Sequence, residues 1–157
     1  MERTLVLIKP DGVKRGLIGK ILNQYEEKSL EIVSLKMISA TKDIAKKHYS
    51  EHAGKKFFDE LINYITEGKM CAIILMGEKA VDVVRKINGD KDPVKAEVGS
   101  IRGKFTLDKT KNLVHASDSI ENAEREITIW FPELAYQDQY KGTVDLFSKT
   151  DGLLINV

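Results

Sequence analysis

His115 stands in the run Asn112-Leu113-Val114-His115-Ala116-Ser117-Asp118-Ser119, with two apolar residues before it and short polar residues after it. Residues of the latter kind mark a loop ending in a helix cap, whereas a packing histidine more often sits among apolar residues at helix or strand period. The neutral imidazole is a good nucleophile near neutral pH, because its unperturbed pKa of about 6.5 leaves most of it unprotonated there. Such a nucleophile needs a group that takes the proton of one ring nitrogen and leaves the other free to attack. Glu126, eleven positions on and across a short helix beginning near Ser119, offers a carboxylate for that purpose.

Four cations accompany this pair. Lys9 closes an apolar run, Arg85 lies near the end of a later one, and Lys91 and Arg102 fall in an irregular stretch. At element ends and in loops, such groups can converge on a polyphosphate. Any one of them alone is more often a solvated surface charge, and it is their grouping with His115 that gives them weight. The chain has neither a G-x-x-x-x-G-K-[ST] phosphate loop nor a G-x-G-x-x-G turn: Gly19-Lys20 is followed by Ile21, and no glycine stands at position 14. A nucleotide would therefore be held by side chains.

The elements that must position these groups can be read from the apolar pattern. Arg3 to Ile8 predicts a buried strand ended by a Lys9-Pro10-Asp11-Gly12 turn. Ile18, Ile21, Leu22 and Tyr25 repeat at helical spacing, and the alternation of Val33, Leu35 and Met37 then predicts a strand. Thr41 caps a helix carrying Ile44, Ala45, His48 and Tyr49, and a second helix after Gly54 carries Phe57, Phe58, Leu61, Ile62 and Ile65. Met70 to Met76 predicts a central strand, and Ala80, Val81, Val84 and Ile87 a helix that stops at Asn88-Gly89. Residues 89 to 118 predict an irregular loop, longer than is usual unless functional. Beyond it, a helix from Ser119 to Arg125 leads into a last strand, Ile127 to Phe131. Four strands in two βαβ-like crossings predict an α/β (α+β) sandwich of the ferredoxin-like, split βαβ type, with a four-stranded antiparallel sheet covered by helices.

The 157 residues suffice for one domain with its own core. The single cysteine, Cys71, lies in an apolar run and reads as a small core residue of a reducing compartment. The apolar run near the N-terminus is too short for a signal peptide or a membrane span, which predicts a cytoplasmic protein. A formal charge of +1 creates no global field toward nucleic acid or acidic lipid.

From about residue 2 to 134 the chain resembles the nucleoside diphosphate kinases. The resemblance is carried by Lys9-Pro10-Asp11-Gly12, His48-Tyr49, Phe57-Phe58, Arg85 before Gly89, Ile101-Arg102-Gly103, Asn112-x-x-His115-Ala116-Ser117-Asp118 and Ala123-Glu124-x-Glu126-Ile127. It implies transfer of the γ-phosphate of a nucleoside triphosphate to His115 and then to a nucleoside diphosphate, a ping-pong reaction, with Mg2+ held mainly by the nucleotide phosphates and no metal ligands from the protein. By family likeness Lys9 and Tyr49 lie beside the transferring group, and Arg85 and Arg102 hold the outer phosphates. Asn112 with Lys9 contacts the sugar hydroxyls, Glu126 assisted by Ser117 orients the imidazole, and the base stacks on Phe57 beside Leu61. Stacking accepts any base, so substrates would be ATP and the other nucleoside tri- and diphosphates. The family's assemblies imply a homo-oligomer, a hexamer ahead of a tetramer.

Three positions depart from the family pattern. Lys91 stands where a threonine donates to phosphate and is expected to bind the nucleotide by charge instead. Val98 replaces a loop proline, freeing φ there. Lys109 replaces an apolar residue that touches the base, and its stem could still cover the ring while the ammonium reaches solvent. A catalytically weak, nucleotide-binding regulatory module on the same fold is the alternative reading, and a structural or nucleic-acid-binding partner a second. The division expected is a kinase domain over 1–134 and a C-terminal extension over 135–157, packing on that domain or on a neighbouring subunit.

Overall fold

The long apolar runs become the middle of a sheet. In the computed structural model, which describes residues 1–134, β1 (Glu2–Ile8) and β3 (Met70–Gly77) pair antiparallel from Glu2 opposite Gly77 to Ile8 opposite Cys71. The edges are β2 (Glu31–Ile38), beside β3, and β4 (Val114–Ala116), beside β1, giving the order β2-β3-β1-β4 with every pair antiparallel. Alternate residues of the central strands feed two cores. Val6, Ile8, Ile73 and Leu75 pack under α2 (Ile18–Glu27) and α5 (Ala80–Asn88) with Ile21, Tyr25 and Val84. On the opposite face Leu5, Leu7, Ala72 and Ile74 meet α3 (Lys42–His48), α4 (Phe58–Ile65) and α7 (Ile120–Trp130) through Ala45, Ile62, Ile65, Ile127 and Trp130. Burial on both faces explains why these strands read as unbroken apolar runs rather than as alternation.

The expected four-stranded antiparallel sheet covered by helices is present, but its fourth strand is not Ile127 to Phe131. Ile127 to Trp130 continue α7, with Phe131 as its C-cap, and the helix begins after Ser119, whose hydroxyl accepts the Asn122 N–H at 3.1 Å. Ala123, Ile127 and Trp130 share one buried stripe at helical spacing, and burying that stripe outweighs the strand preference of β-branched and aromatic residues. The fourth strand is β4, inside the stretch expected to be irregular, and it carries His115 opposite Leu7. The same stretch holds α6 (Ile101–Phe105), capped by Ser100, which accepts the Gly103 N–H at 3.0 Å. The turn expected at Lys9 to Gly12 is a short helix, α1 (Pro10–Lys14), with proline at its start, where a missing N–H costs nothing. The C-terminal extension expected over 135–157 lies outside the described residues.

Candidate active site

The position of His115 is set by a strained turn. Leu113 has φ +73°, and the Val114 N–H closes back on the Asn112 carbonyl at 2.9 Å, a γ-turn of the rare hand. A conformation of this kind costs about 1–3 kcal/mol and persists only where its surroundings over-determine it. Here they do. The Leu113 N–H donates to Asp11 Oδ2 at 3.1 Å, and its carbonyl accepts the Lys9 N–H at 2.7 Å. Tyr64 donates its hydroxyl to the other oxygen of Asp11. The Arg102 guanidinium donates to the carbonyls of Asn112 (3.2 Å), Gly89 (2.7 Å) and Val114 (2.6 Å). Three of its five N–H groups are thus used on backbone, leaving two without a backbone carbonyl.

Beyond the turn, His115 presents its imidazole at the floor of the cleft, and its Nε2 meets Glu126 Oε2. Glu126 projects inward from α7 and is 3% exposed. Burial pushes its carboxyl up, while the His48 ring and a hydrogen bond from Ser117 pull it down. The Ser117 hydroxyl also accepts the Leu5 N–H at 3.2 Å, fixing it to β1. The His115 imidazole is held below its ordinary pKa, by burial first and then by the charges of Lys9, Lys91 and Arg102, so it is neutral at physiological pH. With Nε2 donating to Glu126, the Nδ1 lone pair remains for attack.

His48 stands behind this pair. Read from sequence only as part of an apolar helix face and a family motif, it is 3% exposed, with its ring edge-on to His115 at 4.5 Å. Its Nδ1 accepts the Trp130 Nε1–H at 3.1 Å and lies 3.4 Å from Glu126 Oε2. A histidine in line with Ile44 and Ala45 on an apolar helix face is the sequence signal that could have marked it. Ligand atoms of His48, His115 and Glu126 lie within 4.8 Å of one another, a spacing a transition metal could use. Of the three, only His115 and Glu126 are hydrogen-bonded to each other; His48 Nδ1 is taken up by the Trp130 N–H and has no proton to give Glu126, so the group is a packed cluster rather than an open ligand set.

The cleft itself is a cavity of about 810 Å³ lined by Lys9, Tyr49, Phe57, Leu61, Arg85, Lys91, Arg102, Asn112, His115 and Glu126. All the sequence-predicted site residues are therefore brought to one place except Ser117, which lies behind Glu126 rather than on the wall. Lys9 Nζ donates to Asn112 Oδ1 at 2.7 Å and lies 5.4 Å from the Tyr64 ring centre. Burial and the Arg102 charge, opposed by Asp11, lower its pKa to about 7. Burial pushes the Tyr49 hydroxyl up to about 12, so it stays a donor. Phe57, just ahead of α4, is 44% exposed on the cavity, while Phe58 turns to the core. Lys109 also lines the cavity; its side chain is 71% exposed, and at that surface its ammonium pairs with Asp92 at 2.9 Å. Val98 is exposed and meets none of these groups.

A neutral, carboxylate-held histidine facing convergent cations in an α+β sandwich defines a phosphoryl-transfer enzyme. The sequence model of the family described as nucleoside diphosphate kinase matches residues 2–136. A nucleoside diphosphate kinase of Clostridium perfringens (strain SM101 / Type A) is 54% identical over 138 residues, 88% of this chain and 96% of that protein. One from Saccharolobus islandicus (strain L.S.2.15 / Lassen #1) is 52% identical over 131 residues, 83% of this chain and 95% of that protein. Among solved structures, a nucleoside diphosphate kinase family protein from Babesia bovis superposes with a TM-score of 0.82 at 44% identity, over 85% of this chain and 90% of that one. The chain belongs to the nucleoside diphosphate kinase family, and it is a phosphotransferase acting on nucleotides.

Proposed function

We propose that His115 is the residue that carries the phosphoryl group between nucleotides, and the observation that bears this reading is its Nε2 contact with buried Glu126 at the floor of a cation-lined cleft. Nδ1 attacks the γ-phosphorus of a nucleoside triphosphate, an N–P bond forms, and the bond to the β-phosphate oxygen breaks with its electrons leaving on the diphosphate. Glu126 holds the Nε2 proton and balances the positive charge that the ring acquires. A second nucleoside diphosphate then takes the group by the reverse step. Lys9 and the Tyr49 hydroxyl flank the transferring group, Arg85, Lys91 and the two free N–H groups of Arg102 hold the outer phosphates, and Asn112 orients Lys9 and the sugar. Phe57 and Leu61 offer an apolar face that any base can cover.

The phosphate end of the cleft offers cations, and among the described residues the only cluster of metal-binding type is His48, His115 and Glu126, of which His115 and Glu126 are hydrogen-bonded to each other. A Mg2+ ion would accordingly sit mainly on phosphate oxygens, where it supplies charge neutralisation. No described helix is long and apolar enough to cross a membrane, in keeping with a cytoplasmic setting. Val33, Leu35 and Met37, 42 to 47% exposed along the edge strand β2, supply an apolar surface for homo-oligomer assembly, with a hexamer favoured over a tetramer. Light scattering on the full chain, with Leu35→Glu as the variant, reads that assembly. Residues 1–134 form the kinase domain, and 135–157 an extension to it.

The deciding test is incubation with Mg2+ and γ-labelled ATP followed by a GDP chase. Label that is acid-labile, alkali-stable, passed to GDP and absent in His115→Ala is the expected result. ATP binding without transferable label would instead favour a regulatory module.

A further inference from the structure

Two segments without long elements frame the mouth of the cleft, 89–100 after α5 and 106–112 before β4, and a side-chain pair joins them. Lys109 Nζ lies 2.9 Å from Asp92 Oδ2. The acidic end is organised before any ligand arrives. Asp92 Oδ1 accepts the Val94 N–H at 3.0 Å, the Asp92 N–H donates to Asp90 Oδ1 at 2.8 Å, and the Asp92 carbonyl accepts the N–H groups of Lys95 (3.0 Å) and Ala96 (2.9 Å). Its side chain is only 20% exposed, against 71% for Lys109. The basic end is anchored through its backbone: the Lys109 carbonyl accepts Asn112 Nδ2 at 2.9 Å, and Asn112 Oδ1 accepts Lys9 Nζ at 2.7 Å. Lys109 is therefore tied at its main chain to the catalytic floor and at its tip to the opposite loop. Between these ties Lys109 lines the same cavity as Phe57 and Leu61.

A free lysine at this exposure samples many rotamers and presents no fixed surface; one held at both ends presents its stem as an apolar strip. We propose that Asp92 is a positioning residue that pins the Lys109 stem as a wall of the nucleoside end of the cleft, so that purine nucleotides are gripped more firmly than pyrimidine ones by contact area alone. The proposal rests on the nucleotide reading of the cleft given above. Because the ammonium is engaged by Asp92, the wall reads no base edge: adenine and guanine gain alike.

The test is steady-state phosphate exchange with ADP, GDP, CDP and UDP as acceptors, at low and high salt, for the wild type, Asp92→Asn, Lys109→Ala and the double variant. Asp92→Asn is expected to raise KM for ADP and GDP about two- to fivefold, the range of a surface ion pair, with a smaller rise for CDP and UDP and kcat within a factor of two. The difference from wild type should shrink at high salt, and the double variant should be no worse than Lys109→Ala alone. A KM that is unchanged or falls in Asp92→Asn would overturn the proposal, since the pair would then be idle or would be withholding Lys109 from the phosphates. So would a loss confined to kcat, a KM effect independent of salt, or additive single effects. Wild-type exchange abolished by His115→Ala serves as the internal reference: its absence would refute the functional reading itself rather than the wall.

Discussion

Lys9 offers the sharpest test of the electrostatics, because the proposed function calls on its charge and its burial opposes that charge. With a pKa lowered to about 7, roughly nine-tenths of the Lys9 ammonium is deprotonated near pH 8 in the free protein. Phosphate oxygens entering the cleft favour the charged form, so binding of a nucleoside diphosphate near pH 8 should draw in roughly 0.9 proton, and near pH 6 only about 0.1. Affinity should accordingly fall by up to about tenfold per pH unit above neutrality. The neighbouring groups do not obscure this: His115 is already neutral there, Tyr49 stays protonated with a pKa of about 12, and the Arg102 and Lys91 charges are among the causes of the shift. Titration calorimetry of ADP binding in two buffers of different ionisation heat counts the protons directly. Lys9→Arg, which stays charged throughout, should abolish the uptake. Near-zero uptake by the wild type at pH 8, or the same uptake in Lys9→Arg, would refute the assignment. The same shift has a consequence for stability without ligand. Between about pH 7 and 10.5 the unfolded chain holds the Lys9 proton and the folded one does not, so this group's contribution to stability grows as pH rises through that window.

Three further outcomes follow from the geometry. Glu126→Gln keeps the shape but removes the negative charge facing His115 Nε2; kcat should fall about 10- to 100-fold, the worth of a charge-assisted bond, with nucleotide KM little changed, and rapid-quench phosphorylation of the enzyme measures it. Asp11→Ala strips the strained turn of its acceptor for the Leu113 N–H and of the Tyr64 contact, so urea unfolding should show a loss of about 1–3 kcal/mol together with lower activity; unchanged stability would mean that the turn holds itself. A Cβ on Gly103 would meet the Glu97 carbonyl oxygen at 1.8 Å, whereas one on Gly99 meets nothing within 4 Å, so Gly103→Ala should lose about 1–3 kcal/mol or more and Gly99→Ala far less in the same assay.

The sequence made the central strands and α2, α3, α4 and α5 legible because each buries enough residues in one segment for its period to show. Thr41 is a cap with its hydroxyl on the Ile44 N–H at 3.2 Å, and Gly89 ends α5 with φ +82°, both positions where the residue type states its own geometry. The misreading at Ile127 to Phe131 came from weighing residue types over spacing, since the buried set Ala123, Ile127 and Trp130 is helical while its neighbours Thr128 and Ile129 favour strands. β4 could not have been seen by any window, because three residues carry no period. In the site, residue type and place marked Lys9, Arg85 and His115, while Phe57 was singled out over Phe58 by the family resemblance alone, and residue type is silent about partners. Nothing in the sequence shows that Arg102 spends three N–H groups on carbonyls, that Lys109 reaches Asp92, or that His48 stands against His115.

The strand bearing His115 is thus the least self-sufficient element of the sheet. Its three residues gain little from pairing with β1 alone, and the turn before it is strained. What fixes it is Arg102, whose guanidinium ties Asn112, Val114 and Gly89 together, and Asp11, which reaches it from the first turn of α1. Both are charged groups that bear on the cleft: Arg102 lines it, and Asp11 counters the loss of charge on Lys9. On the proposed reading, positioning of His115 and binding of phosphate therefore draw on the same side chains. For that reason substitution of Arg102 should affect rate and affinity together, whereas substitution of Arg85, which lines the cavity but donates to no described backbone carbonyl, should affect affinity more than rate.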